Sequence, residues 1–101
     1  YDLAMVIGVL IHIAPKYLPI VYENIYRATR RYILIGEYYS RQPEEVSYRG
    51  YKNKLFKRDF AGEMLDKYTD LRLVDYGFFY HKDESSKLDD ITWFLMEKAD
   101  I

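Results

Sequence analysis

Two short stretches constrain this chain more than any other feature: Leu3–Ile7 (LAMVI) and Tyr32–Tyr39 (YILIGEYY). Each is apolar at successive positions rather than at alternate ones, which is how a parallel strand covered on both faces reads. Between them Leu18, Val21, Tyr22 and Ile25 recur at helical spacing, and Pro15 suits the first turn of a helix that reaches about Thr29. Arg30 and Arg31 follow where a helix C-terminus favours positive charge. Strand, helix, strand is a βαβ unit, which implies a parallel pair joined by a right-handed crossover.

Beyond Tyr39 the pattern changes. Ser40–Arg58 (SRQPEEVSYRGYKNKLFKR) mixes one Pro, one Gly and many charges, and the expectation is a long ordered loop. Asp59 can cap a helix whose apolar face is Phe60, Met64 and Tyr68, with Ala61 and Leu65 beside it. Leu71–His81 reads as a third strand and Ile91–Lys98 as a fourth, joined by the polar KDESSKLDD. No helix fits between these two, so they should pair as an antiparallel hairpin. Ile91–Met96 is apolar on both faces and belongs inside the sheet. The resulting α/β order is β-α-β-loop-α-β-β within one partial domain spanning 1–101. It leaves one flank of the first strand as an apolar edge that an identical chain can cover, so self-association through that edge is an expectation.

Composition narrows the function classes. The 101 residues carry 15 basic and 16 acidic side chains, a formal net charge of -1, so nothing global points to nucleic acid or to an anionic membrane. The absence of cysteine excludes a disulfide framework and thiolate metal sites, and it accords with a cytoplasmic setting. The apolar stretch at Leu3–Ala14 is too short to span a bilayer. Twelve tyrosines suit wet pockets and interfaces, where a ring is buried and its hydroxyl finds a partner. The polar turn holding His81, Asp83, Glu84, Asp89 and Asp90 lacks the convergence a hard-cation site needs, so no metal is expected there.

The succession of YDLAMVIGVLIHI, RYILIGEYY, LRLVDYGFFYH and ITWFLMEK resembles strands four to seven of the class I S-adenosylmethionine-dependent methyltransferases. More narrowly, VLIHI, RYILIGEYYS, YRGYKNKLFKRDFAGEMLDKY and DDITWFLMEK resemble the methylases found with pseudaminic acid biosynthesis genes. The likeness covers essentially the whole chain, and Tyr48–Asp59 is its most specific part. It implies the C-terminal half of a Rossmann-like sheet, with the last strand antiparallel and inserted between the fifth and sixth. It also implies S-adenosylmethionine as cofactor and a small-molecule acceptor, a nonulosonic acid sugar or its precursor. The chain departs from the family in that the Gly-x-Gly-x-Gly turn after the family's strand one and the acidic residue ending the family's strand two are both absent from it. Those features hold the methionine end and the ribose of the cofactor, so the chain by itself is expected to bind it poorly and to be inactive alone.

Candidate site residues follow from position. Gly8 to His12 would lie just past the carboxyl end of the first strand, where open α/β sheets place ligands. There Gly8 lets backbone approach a cofactor closely and Val9 and Leu10 can line its pocket; the alternative is a tight turn with core residues beside it. His12 can act as a general base on an attacking hydroxyl or amine, or it can be a hydrogen-bonded packing residue. Glu37 and Tyr38 end the second strand at the same rim. They can orient a substrate hydroxyl and wall a sugar-sized pocket; otherwise Glu37 pairs with Arg30 or Arg31. Tyr48 and Arg49, in a basic stretch with Lys52, Lys54, Lys57 and Arg58, can clamp an anionic acceptor or can remain solvated.

Overall fold

The first strand, β1 (Leu3–Ile7), runs into two 3-10 turns, Leu10–His12 and Pro15–Tyr17, and then into α1 (Leu18–Ala28). β2 (Tyr32–Glu37), β3 (Glu44–Ser47), β4 (Lys54–Lys57), α2 (Phe60–Lys67), β5 (Leu71–Phe79) and β6 (Ile91–Lys98) follow. The computed structural model describes residues 2–47, 54–79 and 91–99.

Local chemistry accounts for the helices. Pro15 opens the turn that leads into α1, and Leu18, Tyr22 and Ile25 form its buried stripe. Thr29 ends it by turning extended, at φ -127° and ψ 151°. Asp59 caps α2 by accepting from the Gly62 amide at 2.9 Å, and Phe60, Ala61 and Met64 go into the core.

Four strands form one mixed sheet in the order β1-β2-β6-β5. β1 and β2 are parallel, with Leu3 opposite Tyr32 and Ile7 opposite Gly36. β6 is antiparallel to both of its neighbours and lies inside the sheet, as its two-sided apolar character implies. The β5–β6 ladder is interrupted between Leu73 and Asp75, where Val74 is an extra residue.

The register sorts side chains onto two unlike faces. Ala4 and Val6 of β1, Ile33 and Ile35 of β2, and Phe94 and Met96 of β6 share one face and pack with Tyr22 and Ile25 of α1 and Phe60 and Met64 of α2. Leu3, Met5 and Ile7 point to the other face and are 48%, 60% and 37% exposed. Both helices therefore cover the same side, and the described residues place nothing over the opposite one. β1 also has no strand partner on its outer side among the described residues.

The expected long loop between β2 and α2 is corrected. Residues 44–47 and 54–57 pair as a two-stranded antiparallel ladder, with Glu45 opposite Phe56. Strands of four residues are too short, and these too polar, for a period of two to show in the sequence. No helix among the described residues is long and apolar enough to cross a membrane.

Candidate functional site

The carboxyl ends of β1 and β2 carry the turn at Gly8–His12 on one side and Glu37–Tyr39 on the other. Gly8 continues the parallel ladder by donating its amide to the Gly36 carbonyl at 2.8 Å. It then reverses the chain through φ +68°, a left-handed conformation that side chains beyond glycine resist. Among the described residues, no heavy atom beyond its two chain neighbours lies within 4 Å of where a Cβ on Gly8 would stand. Glycine is needed there for its backbone angle, and the space beside it is open.

After Gly8 the turn divides its side chains. Val9 is half exposed, whereas Leu10 is fully buried and Ile11 nearly so. Leu10 therefore belongs to the hydrophobic core and not to the wall of a pocket, a correction that leaves Gly8 and Val9 at the rim. His12 is exposed, and its amide closes the 3-10 turn on the Val9 carbonyl at 3.1 Å.

Among the described residues Glu37 is the one buried acidic side chain, at 3% exposure. Its two oxygens accept from the turn: Oε2 from the Val9 amide at 3.1 Å and Oε1 from the Ile11 amide at 3.2 Å. Burial raises its carboxyl above the ordinary range, and the amide bonds from Val9, Ile11, Leu10 and Gly8 pull the other way. The pairing with Arg30 or Arg31 does not occur. Arg30 binds Asp2 at 2.9 Å and Arg31 binds Glu97 at 2.9 Å, both at the amino ends of the parallel strands.

Tyr38, next after Glu37, lies half buried against the core with the Lys57 ammonium 5.6 Å from its ring centre. β4 packs against the Leu10–His12 turn, so the hairpin forms the far wall of the rim. Between the hairpin and the Pro15–Tyr17 turn lies a pocket of about 180 Å³ lined by Pro15, Pro43, Glu45, Phe56, Lys57 and Arg58. Arg58 is anchored there by the Glu63 carboxylate, whose other oxygen accepts from the Tyr22 hydroxyl at 2.8 Å. Tyr48 and Arg49 lie outside the described residues, as does the polar turn with His81.

Sequence reasoning placed Gly8, Val9, His12, Glu37 and Tyr38 at one rim, and the structure brings them together. It missed Pro15, Pro43, Glu45 and Phe56 as pocket walls, because only the unforeseen β3–β4 pairing brings them near one another. A larger cleft of about 630 Å³ lies at the opposite, amino end of the parallel strands, between Arg30, Arg31, Arg72 and Lys98 and the acids Asp2 and Glu97. Its cations are committed to those two carboxylates and to helix-end carbonyls, which is the chemistry of a surface ion-pair network.

Comparison with protein-family models and with curated proteins finds no match to this chain.

Proposed function

We propose that this chain forms the acceptor-side half of an S-adenosylmethionine-dependent methyltransferase that acts on a small molecule. In this reading the acceptor is a nonulosonic acid sugar or its precursor. The observation that carries the proposal is the strand order β1-β2-β6-β5, with a reversed last strand between a parallel pair and its outer neighbour. That is the arrangement the resemblance in Leu3–Ile7, Tyr32–Tyr39, Leu71–His81 and Ile91–Lys98 implies. The rim at the carboxyl ends of β1 and β2 is also where open α/β sheets bind ligands.

The residues present fit one margin of the cofactor. The open space beside Gly8 and the exposed side chain of Val9 offer a backbone and an apolar surface for it. When bound, it would supply an electrophilic methyl group on sulfur. His12 would take the proton from the attacking hydroxyl or amine. Tyr38, Tyr48, Arg49 and the pocket walled by Phe56, Lys57 and Arg58 would hold the acceptor, with the cations matching a sugar carboxylate. Methyl transfer depends chiefly on alignment of nucleophile and leaving group, so holding the two ligands is the main task.

The glycine-rich half of the cradle would come from further polypeptide covering the bare face of β1 and β2. Titration calorimetry with S-adenosylhomocysteine tests this. The 101-residue chain should show no micromolar binding. The polypeptide encoded by the complete reading frame should bind, and failure of that polypeptide to bind refutes the reading.

A second reading rests on Leu3, Met5 and Ile7, which are exposed on β1, a strand with no partner on its outer side among the described residues. In it the chain is a non-catalytic methyltransferase-like module that self-associates through β1. Sedimentation velocity separates the two. A chain that stays monomeric at high concentration excludes the self-associating module.

A further inference from the structure

We infer that Glu37 is the positioning residue of the ligand-facing turn: its carboxylate, strung between the Val9 and Ile11 amides, fixes the backbone from Gly8 to His12. The inference stands on geometry and holds whichever ligand the rim takes. The two bonds cross 28 and 26 residues of sequence and tie the end of β2 to the turn after β1. Each oxygen serves a different amide, so the clamp needs two acceptors on one side chain. A carboxylate supplies both; a carboxamide has one oxygen and would set an N–H against the second amide.

The same site makes the carboxylate a cost to folding. Burial disfavours its charged form, and an apolar side chain at this position would remove that cost. What the charge contributes instead is order in the turn. The charged and titratable groups around it do not offer a substitute. Arg58 and Tyr39 share a small cavity with Glu37, and Arg58 is bound to Glu63. Lys57 lies over the Tyr38 ring, Thr92 is opposite Glu37 on β6, and His12 is exposed at the end of the turn. Protonation of Glu37 would leave one oxygen as hydroxyl and weaken one of the two amide bonds. The turn is therefore best ordered above the carboxyl's raised midpoint.

Hydrogen exchange and amide NMR on Glu37→Gln test this. At pH 7 the Val9 and Ile11 amides should lose about tenfold in protection, the effect of a difference near one charged hydrogen bond. The amides of β5 and β6 should keep theirs. Unchanged protection at Val9 and Ile11, or an equal loss throughout the sheet, overturns the inference. If the variant does not fold, the parent chain decides. Both amide signals should titrate together with a midpoint above that of an ordinary glutamate, and amides that ignore pH in that range overturn it.

Discussion

The Lys98 ammonium stands 3.9 Å from the centre of the Tyr26 ring and donates to the backbone carbonyls of Tyr26 and Thr29, each at 2.6 Å. A cation from the last strand thus closes the C-terminal end of α1, where carbonyls lack helical partners and the helix dipole is negative. Lys98→Met keeps the stem over the ring but removes both bonds. It should cost about 1–2 kcal/mol in urea denaturation at pH 7. A loss below a few tenths would mean that solvent replaces the ammonium freely.

Tyr26 and Tyr68 stack beneath this cation, 4.0 Å between centres and 4° from parallel, yet their hydroxyls fare differently. Tyr26 donates to the Asp70 carboxylate, and that bond, helped by burial, pushes its phenol up to about 12. Its folded value exceeds the unfolded value near 10, so the stabilisation is complete below pH 10 and fades as pH rises through about 12. The Tyr68 hydroxyl is buried with no hydrogen-bond partner among the described residues. Tyr26→Phe should therefore cost about 1 kcal/mol, while Tyr68→Phe should be neutral or stabilising by a similar amount. Equal destabilisation by both would show that the Tyr68 hydroxyl is satisfied in solution.

Glu97 responds to pH in the opposite sense from Glu37. Hydrogen bonds from Arg72 at 2.7 Å and Arg31 at 2.9 Å hold its carboxyl down at about 2, against an ordinary value of 4.5. A depressed folded value means the stabilisation is present above pH 4.5 and is lost as pH falls through about 2. Glu97→Gln should flatten the stability profile over that interval, and 1 M salt should flatten it in the parent chain by screening the arginines. A variant with the parent's acid limb would place the acid-sensitive group elsewhere.

The βαβ unit, the capped second helix and the inward position of β6 were legible because each rests on a local rule. Two-sided apolar runs mark inner strands, Asp59 before an apolar stripe marks a helix start, and a short polar link marks a hairpin. Leu10 and Glu37 were not legible in the same way. Whether an apolar residue in a turn lines a pocket or enters the core depends on φ at Gly8, which the residue types do not specify. The position of Glu37 at the end of β2 is legible, but its partners are neither Arg30 nor Arg31. Its partners are backbone amides 26 and 28 residues away, and amides leave no mark in a sequence. The β3–β4 pairing failed to show for want of length.

Gly8 separates the conformational demand of the rim from its packing. Its φ of +68° is strained for any residue with a Cβ, but the space a Cβ would enter is open. Gly8→Ala should therefore cost only the left-handed strain, about 1–2 kcal/mol, with Gly8→Asn costing less and Gly8→Val more. Gly77 is the internal control. A Cβ there would lie 2.6 Å from the Trp93 indole, so Gly77→Ala must displace a rigid ring and should cost about 1–3 kcal/mol through overpacking. Urea midpoints with fluorescence of the single tryptophan distinguish the two, since only Gly77→Ala should change the native emission. If Gly8→Ala and Gly8→Val destabilise equally and Gly8→Asn no less, left-handed strain is not what selects glycine at the rim.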